Sequence, residues 1–442
     1  MAYTLRLLAF VASLIAAIPS VAGFHVLHFS DFHYDPYFGT SKAIGPCRTA
    51  EVSKYGLPGC DSSKTIVESS LRDAASLAAN LTGPVVLLYT GDWLRHDMAS
   101  LDDPSRVGKE IMTTLSGLIR KYFPSTGGKY LLAPHAAVPI ALGNEDFIPD
   151  YHFNVSNAGH DALLHGFADI FNDTLLTAVE ADQFRHCAFY HRTFDLSQHG
   201  LTFNLRVISL NTLVWAFQIT PSTNSMSDPC GQFAWLEAQL ATAKSNGEKV
   251  YIQSHIPPDF YDSQFEERYV SIIKQYNDII EAQFFGHIHR MSYLSLSSKK
   301  DEVPPLFIGG PITRVSATNP CYEVVKLNNT DASVESVTQR YLSSSFIWTT
   351  GHTIPDAYNI TSLSNYNLYQ VGEAMRHESG RSLFDVWYTM YNGGIVSKEK
   401  LDKCDIICQR FLACTLVAVG AVPGGECILN RKMPRWNALG DL

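Results

Sequence analysis

Five short blocks carry residues suited to metal ions: Asp31-Phe32-His33, Gly91-Asp92, Gly143-Asn144, His255 and Gly286-His287-Ile288-His289. Imidazole and carboxylate are ligands that borderline divalent metals such as Zn²⁺ prefer. Two ions roughly 3.5–4 Å apart need one bridging carboxylate and several terminal ligands, and such a pair activates water for in-line attack on phosphorus. The set therefore predicts a two-metal phosphoesterase site built from Asp31, His33, Asp92, Asn144, His255, His287 and His289. A single D-x-H pair means little, and His289 by itself fits an ordinary surface histidine. The weight lies in five blocks that each close an apolar run. On an extended strand end, alternate residues point the same way. Asp31 with His33, and His287 with His289, are expected to project together on that ground. Glycine ahead of Asp92, Asn144 and His287 suits sharp turns and close backbone approach.

Strands are expected at 24–29, 84–90, 138–142, 204–210, 249–253 and 279–285, and helices at 62–81, 106–122 and 230–243. Strands alternating with helices imply an α/β layered fold, whose ligands sit beyond the carboxyl ends of strands. Past residue 335 the text turns Tyr- and Ser-rich, then helical, then cysteine-rich. The chain thus divides into 1–23, a core over 24–335, and a C-terminal helical, disulfide-stapled subdomain over 336–442.

Apolar residues make up 46% of the 442 and charged residues 17%, which excludes extended disorder. The net charge is −9 with no basic stripe, so a nucleic-acid-binding surface is not expected. Arg6, the apolar run Leu7–Ile18 and the small residues before Gly23 read as a secretory signal. No later stretch is long enough to span a membrane. Sequons at Asn80, Asn154, Asn172, Asn328 and Asn359 fit a glycosylated protein, secreted or in a lysosomal or vacuolar lumen. Nine cysteines in an oxidising compartment favour disulfides. Cys47 and Cys60 can close a short loop, and Cys404, Cys408, Cys414 and Cys427 can staple the tail. Cys187, Cys230 and Cys321 are left open, and the odd count leaves at least one thiol free or paired between chains.

The blocks SDFH, TGDWLRHD, LGNED, SHIPP and FFGHIH resemble the calcineurin-like metallophosphoesterases. DPCGQFAWLEAQL (228–240), YIQSHIPP (251–258) and QFFGHIH (283–289), with Cys-x3-Cys-x5-Cys-x12-Cys in the tail, resemble the acid sphingomyelinase-like phosphodiesterases. The metal motif begins directly after the signal, as in the branch without a saposin-like domain. The resemblance covers nearly all of the mature chain. It implies a four-layer α/β/β/α sandwich with a C-terminal helical subdomain and phosphodiesterase activity, and a monomer is the expectation. It also implies two divalent ions, Zn²⁺ by preference. Asp31, His33, Asp92 and His289 would hold one and Asp92, Asn144, His255 and His287 the other. His96 would protonate the leaving group. The implied substrate is a phosphodiester such as a lipid headgroup or a nucleotide.

One position departs from the family. The residue after Gly-Asn is usually His, and here it is Glu145. An ionised glutamate repels a phosphodiester, whereas a protonated one can donate. Burial raises a carboxyl pKa and nearby cations lower it. TGDWLRHD is also similar to a stretch of fungal vacuolar endopolyphosphatases, which keeps polyphosphate among the substrates and a weakened metal-binding homologue among the readings. Arg95 is expected in an exposed salt bridge or against an anionic substrate.

Overall fold

The computed structural model describes residues 23–124, 138–172 and 174–417. The expected signal up to residue 22 and Cys427 lie outside the described residues. The strands are β1 Phe24–Phe29, β2 Val85–Tyr89, β3 Tyr190–Phe194, β4 Leu205–Ser209, β5 Lys249–Gln253, β6 Ile280–Phe285, β7 Ser292–Leu294, β8 Leu306–Ile308, β9 Cys321–Leu327, β10 Val334–Leu342 and β11 Trp348–Ile354. The helices that matter for the core are α1 Lys64–Asn80, α2 Pro104–Tyr122, α3 Ala162–Asn172, α4 Ala178–Cys187, α5 Gln232–Asn246 and α6 Ser263–Gln275. Ser63 caps α1 by accepting from the Ile66 amide, and Asp103 with Pro104 opens α2.

Two mixed sheets form, in the orders β11-β10-β9-β1-β2 and β3-β4-β5-β6-β8-β7. β1 runs parallel to β2 and antiparallel to β9. Strand alternation sorts the core. Leu27 and Phe29 join the helix-facing core with Ile66, Leu71, Ile111 and Leu115. Phe24 and Val26 turn the other way, into a core shared with Leu205, Val207, Tyr251 and Phe284 of the second sheet. Ile208, Val250 and Ile252 face outward again, with Phe233 and Leu236 of α5. The layers are therefore helix, sheet, sheet, helix. Each fully buried aliphatic side chain contributes about 1.5–3 kcal/mol.

The segment 138–142 is not a strand. Pro139 has no N–H to donate, so only one parallel bridge forms, Tyr89 to Ile140, before the chain leaves at Gly143. The boundary expected at 335/336 falls inside β10. Its pairing with β9 and β11 carries the first sheet on to Ile354. Helices then follow: α7 Asn365–Met375, α8 Arg381–Tyr391, α9 Lys398–Lys403 and α10 Ile406–Thr415. Leu368, Phe384, Trp387 and Leu412 pack them onto the inter-sheet core.

Disulfides join Cys47 to Cys60, Cys187 to Cys230 and Cys404 to Cys408. Cys414 is also disulfide-bonded, and Cys321 is a buried free thiol. Asn80, Asn154, Asn172 and Asn359 are exposed, whereas Asn328 is half-buried and accepts from Thr330. No helix among the described residues is long and apolar enough to cross a membrane.

Candidate metal centre

The predicted residues converge where β1, β2, β5, β6 and the 138–142 segment end. Their backbone is not extended. Asp31, His33, Asp92, His287 and His289 have φ of 52°, 41°, 59°, 77° and 53°. Left-handed backbone costs a side-chain-bearing residue roughly 1–2 kcal/mol, so the surroundings must impose it. Inter-loop hydrogen bonds do so. The Asp31 amide donates to Gly91 O (3.0 Å), His33 to Asp92 O (3.1 Å) and Thr313 to Asp31 O (3.0 Å). The D-x-H and H-x-H pairs are thus aimed by left-handed kinks, which corrects the expectation of extended strand ends. Gly143 is required for space: a Cβ there would land on Asp92 Oδ1 and the His255 ring.

Ligand atoms of Asp31, His33, Asp92 and His289 lie within 4.8 Å of one another, as do those of Asp92, His255 and His287. Asp92 belongs to both groups. Asn144 joins the second, its Oδ1 2.9 Å from His287 Nδ1. Whether metal ions fit can be read from the histidine nitrogens. His33 Nδ1 lies 3.0 Å from Leu94 O and His255 Nδ1 2.8 Å from Thr90 O. A carbonyl only accepts, so each Nδ1 carries the proton and the neutral ring presents a bare Nε2. His255 Nε2 then faces Asp92 Oδ2 at 3.0 Å, buried and without a hydrogen-bond partner. His33 Nε2 faces Asp92 Oδ2 at 3.3 Å and His289 Nε2 at 2.9 Å. Buried acceptors turned on one another call for cations between them. The donor set fits divalent metal.

Among the protein's own groups alone, the carboxylates draw protons onto these imidazoles, supplying the positive charge that a metal ion would bring. Burial pushes the Asp92 carboxyl up, but His255 and His33 outweigh it and hold Asp92 well below the usual carboxylate range. Burial depresses His255, and Asp92 more than offsets this, raising it to about 9. His287 goes the other way: burial and then His255 lower it to about 3.

His96 stacks on His33, with centroids 4.1 Å apart. Its Nδ1 is 2.7 Å from Asp61 Oδ1 and its amide donates to Asp61 Oδ2 at 2.8 Å. Glu145 is buried beside Asn144, and its amide donates to Asp92 Oδ1 at 3.0 Å. Burial raises its carboxyl to about 7, opposed by His96. Arg95 is neither exposed nor free for substrate. It is buried, 3.1 Å from Asp35, and donates to Lys42 O at 2.8 Å.

Three residues escaped the sequence reading. Asp61 clamps His96, and only its place next to Cys60 hints at a constrained loop. Asp146 accepts the amides of Asp92, Trp93, Leu94 and Gly143 at 2.8–3.1 Å, tying the bridging loop to the next. Tyr151 places its hydroxyl 3.3 Å from His287 Nε2.

Known proteins resemble this chain along most of its length. The chain is 27% identical to sphingomyelinase phosphodiesterase D of Dictyostelium discoideum, over 89% of this chain and 94% of that one. It is 25% identical to the human cyclic GMP-AMP phosphodiesterase, over 91% of this chain and 89% of that one. It is 26% identical to the human acid sphingomyelinase-like phosphodiesterase 3b, over 88% of this chain and 86% of that one. The calcineurin-like phosphoesterase family model matches residues 24–291, and the chain belongs to that family.

Proposed function

We propose that the chain is a phosphodiesterase with two divalent ions, Zn²⁺ by the chemistry of the ligands. Asp31, His33, Asp92 and His289 hold one, and Asp92, Asn144, His255 and His287 the other. The observation that carries this reading is the bare, buried Nε2 of His255 facing Asp92, with its Nδ1 spent on Thr90 O. When bound, two such ions acidify water into a nucleophile and neutralise phosphoryl oxygens. The protein supplies the geometry. Asp92 is locked by the Glu145 amide on one oxygen and by Asp146 through its own backbone. His96, with Nδ1 anchored on Asp61, presents Nε2 as the proton donor to the leaving oxygen.

The substrate in this reading is a phosphodiester with a bulky leaving group, either a nucleotide or a sphingomyelin-type headgroup. Phe217 supports a planar or apolar group. It is 57% exposed, and its ring lies within 7° of parallel to Phe260, whose edge meets His287. A secretory route, with a lysosomal or extracellular destination, is supported by the disulfides and the exposed sequons. Glu145 favours a second reading, a weakened homologue or one turned to polyphosphate. Metal analysis with a panel of bis(4-nitrophenyl) phosphate, a cyclic dinucleotide, sphingomyelin and polyphosphate tests both. Two ions per chain and diester turnover support the first reading. Two ions without turnover, with activity gained in Glu145→His, support the second. No metal in protein purified without chelators rejects both.

A further inference from the structure

The inter-sheet core holds a buried titratable pair. His28 of β1 and Glu323 of β9 are 1% and 2% exposed, with His28 Nδ1 3.2 Å from Glu323 Oε2. Around them lie Phe284, Met291 and Phe307, and the His28 ring meets Phe284 edge-on. Taking a titratable pair out of water costs several kcal/mol, and hydrophobic residues of the same volume are often as stable there. Holding two sheets together does not require such a pair, so its other contacts bear on its purpose.

Those contacts lead to the ligand loops. His28 Nε2 is 3.1 Å from Thr90 Oγ1, and the carbonyl of Thr90 accepts from His255 Nδ1 at 2.8 Å. Glu323 Oε1 accepts the Gly310 amide at 2.8 Å. From Gly310 the chain runs through Pro311, which bridges to Ser30, to Ile312 and Thr313, whose amides donate to Asp31 O at 3.2 and 3.0 Å. A Cβ on Gly309 would strike the His28 ring, and one on Gly310 would strike Cys321, so the loop is pressed against the pair.

We infer that His28 and Glu323 are positioning residues for the metal centre: one arm aims His255 through Thr90, and the other fixes Asp31 through Gly310. This rests on the proposed metal site. Removing an outer partner of a metal ligand typically weakens metal binding by roughly 10–100-fold. The test measures Zn²⁺ affinity by chelator competition in the full chain. His28→Leu and Glu323→Gln are expected to weaken binding by about that factor. Tyr251→Phe is the control, because it removes a buried hydrogen bond to Ala332 O in the same core without touching a ligand loop. The control should lower thermal stability and leave affinity unchanged.

Thr90→Val provides the independent check, since it deletes the hydroxyl and keeps the carbonyl. If His28 acts through Thr90, the losses in His28→Leu and Thr90→Val will not add in the double variant. Additive losses, or affinity loss that follows melting temperature equally in Tyr251→Phe, overturn the inference. So does wild-type affinity in both pair variants. Failure of the wild type itself to bind zinc overturns the metal reading as well, and the two failures are distinguishable. Glu323→Gln preserves volume, which covers the case in which His28→Leu does not fold.

Discussion

The two halves of the centre are built differently. The half around Asp31, His33 and His289 is closed and has two carboxylates within reach, Asp31 and the shared Asp92. Each imidazole there is aimed from behind, His33 by Leu94 O and His289 by Ser316 Oγ at 2.9 Å. In the half around His255 and His287, Asp92 is the carboxylate grouped with them among the described residues, beside the neutral amide of Asn144, with Asp31 Oδ1 farther off at 4.0 Å from His255 Nε2. His287 is half-buried and meets Tyr151 and Phe260. With two carboxylates, the closed half would neutralise an ion more fully than the open half, where an ion would keep more charge to draw in a phosphoryl oxygen.

The most severe way to break the comparison is to remove what both halves share. Asp92→Asn keeps the shape and deletes the charge. Both ions are expected to be lost, with turnover falling by roughly a thousandfold or more, equivalent to about 4 kcal/mol of transition-state stabilisation. Elemental analysis that still found one tightly held ion would show the closed half to be independent of Asp92.

Single-half variants sharpen the contrast. His287→Ala leaves Asn144, His255 and Asp92 on the open side, and dialysis against a weak chelator should bring it to one ion per chain. His289→Ala leaves two carboxylates and His33, and should retain more metal under the same dialysis. Turnover should fall by on the order of 100-fold in each, because both ions act in the step. Equal metal loss from the two variants would contradict the proposed asymmetry.

Asp61→Asn acts on neither half. The amide can still contact His96 but loses the charge that balances an imidazolium. Metal content should stay at the wild-type value. Esters with poor leaving groups should slow by roughly 10–100-fold, within the range of general-acid catalysis, while aryl esters change little. His96→Ala should show the same selectivity to a larger degree. Equal loss on both ester types would remove the pair from proton transfer.

The closed half was legible in sequence because its chemistry is compact. Asp31 and His33 stand two apart, as do His287 and His289, and each pair follows a short, mostly apolar run that forms a strand. Which residues converge was readable from strand ends in an α/β fold. How they converge was not, since the left-handed kinks depend on a hydrogen bond to Gly91 O and one from the Thr313 amide, far away in the chain. Asp61, Asp146 and Tyr151 were invisible for the same reason: each acts on a distant backbone or ring and belongs to no spaced motif. The strand expected at 138–142 failed on a local detail, the missing N–H of Pro139. The burial of Arg95 depends on Asp35 and Lys42, sixty and fifty-three residues away in sequence.

The smallest expected effect lies at the rim of the open half. The Phe217 backbone is held by its amide, which donates to Phe260 O at 3.2 Å, beside the stacked Phe260 ring. Phe217→Ala should leave metal content and kcat unchanged and raise KM for aryl or nucleoside diesters. Aromatic stacking contributes about 0.5–1.5 kcal/mol beyond area, which corresponds to a rise of roughly two- to tenfold. Sphingomyelin provides the comparison. Its leaving group has no ring, so a KM rise confined to aryl and nucleoside substrates marks the rim as a stacking wall. An equal rise on sphingomyelin marks it as a general apolar edge. An unchanged KM for every substrate places neither ester group at this rim, and substrate contact then follows His96 and Glu145 rather than the open half.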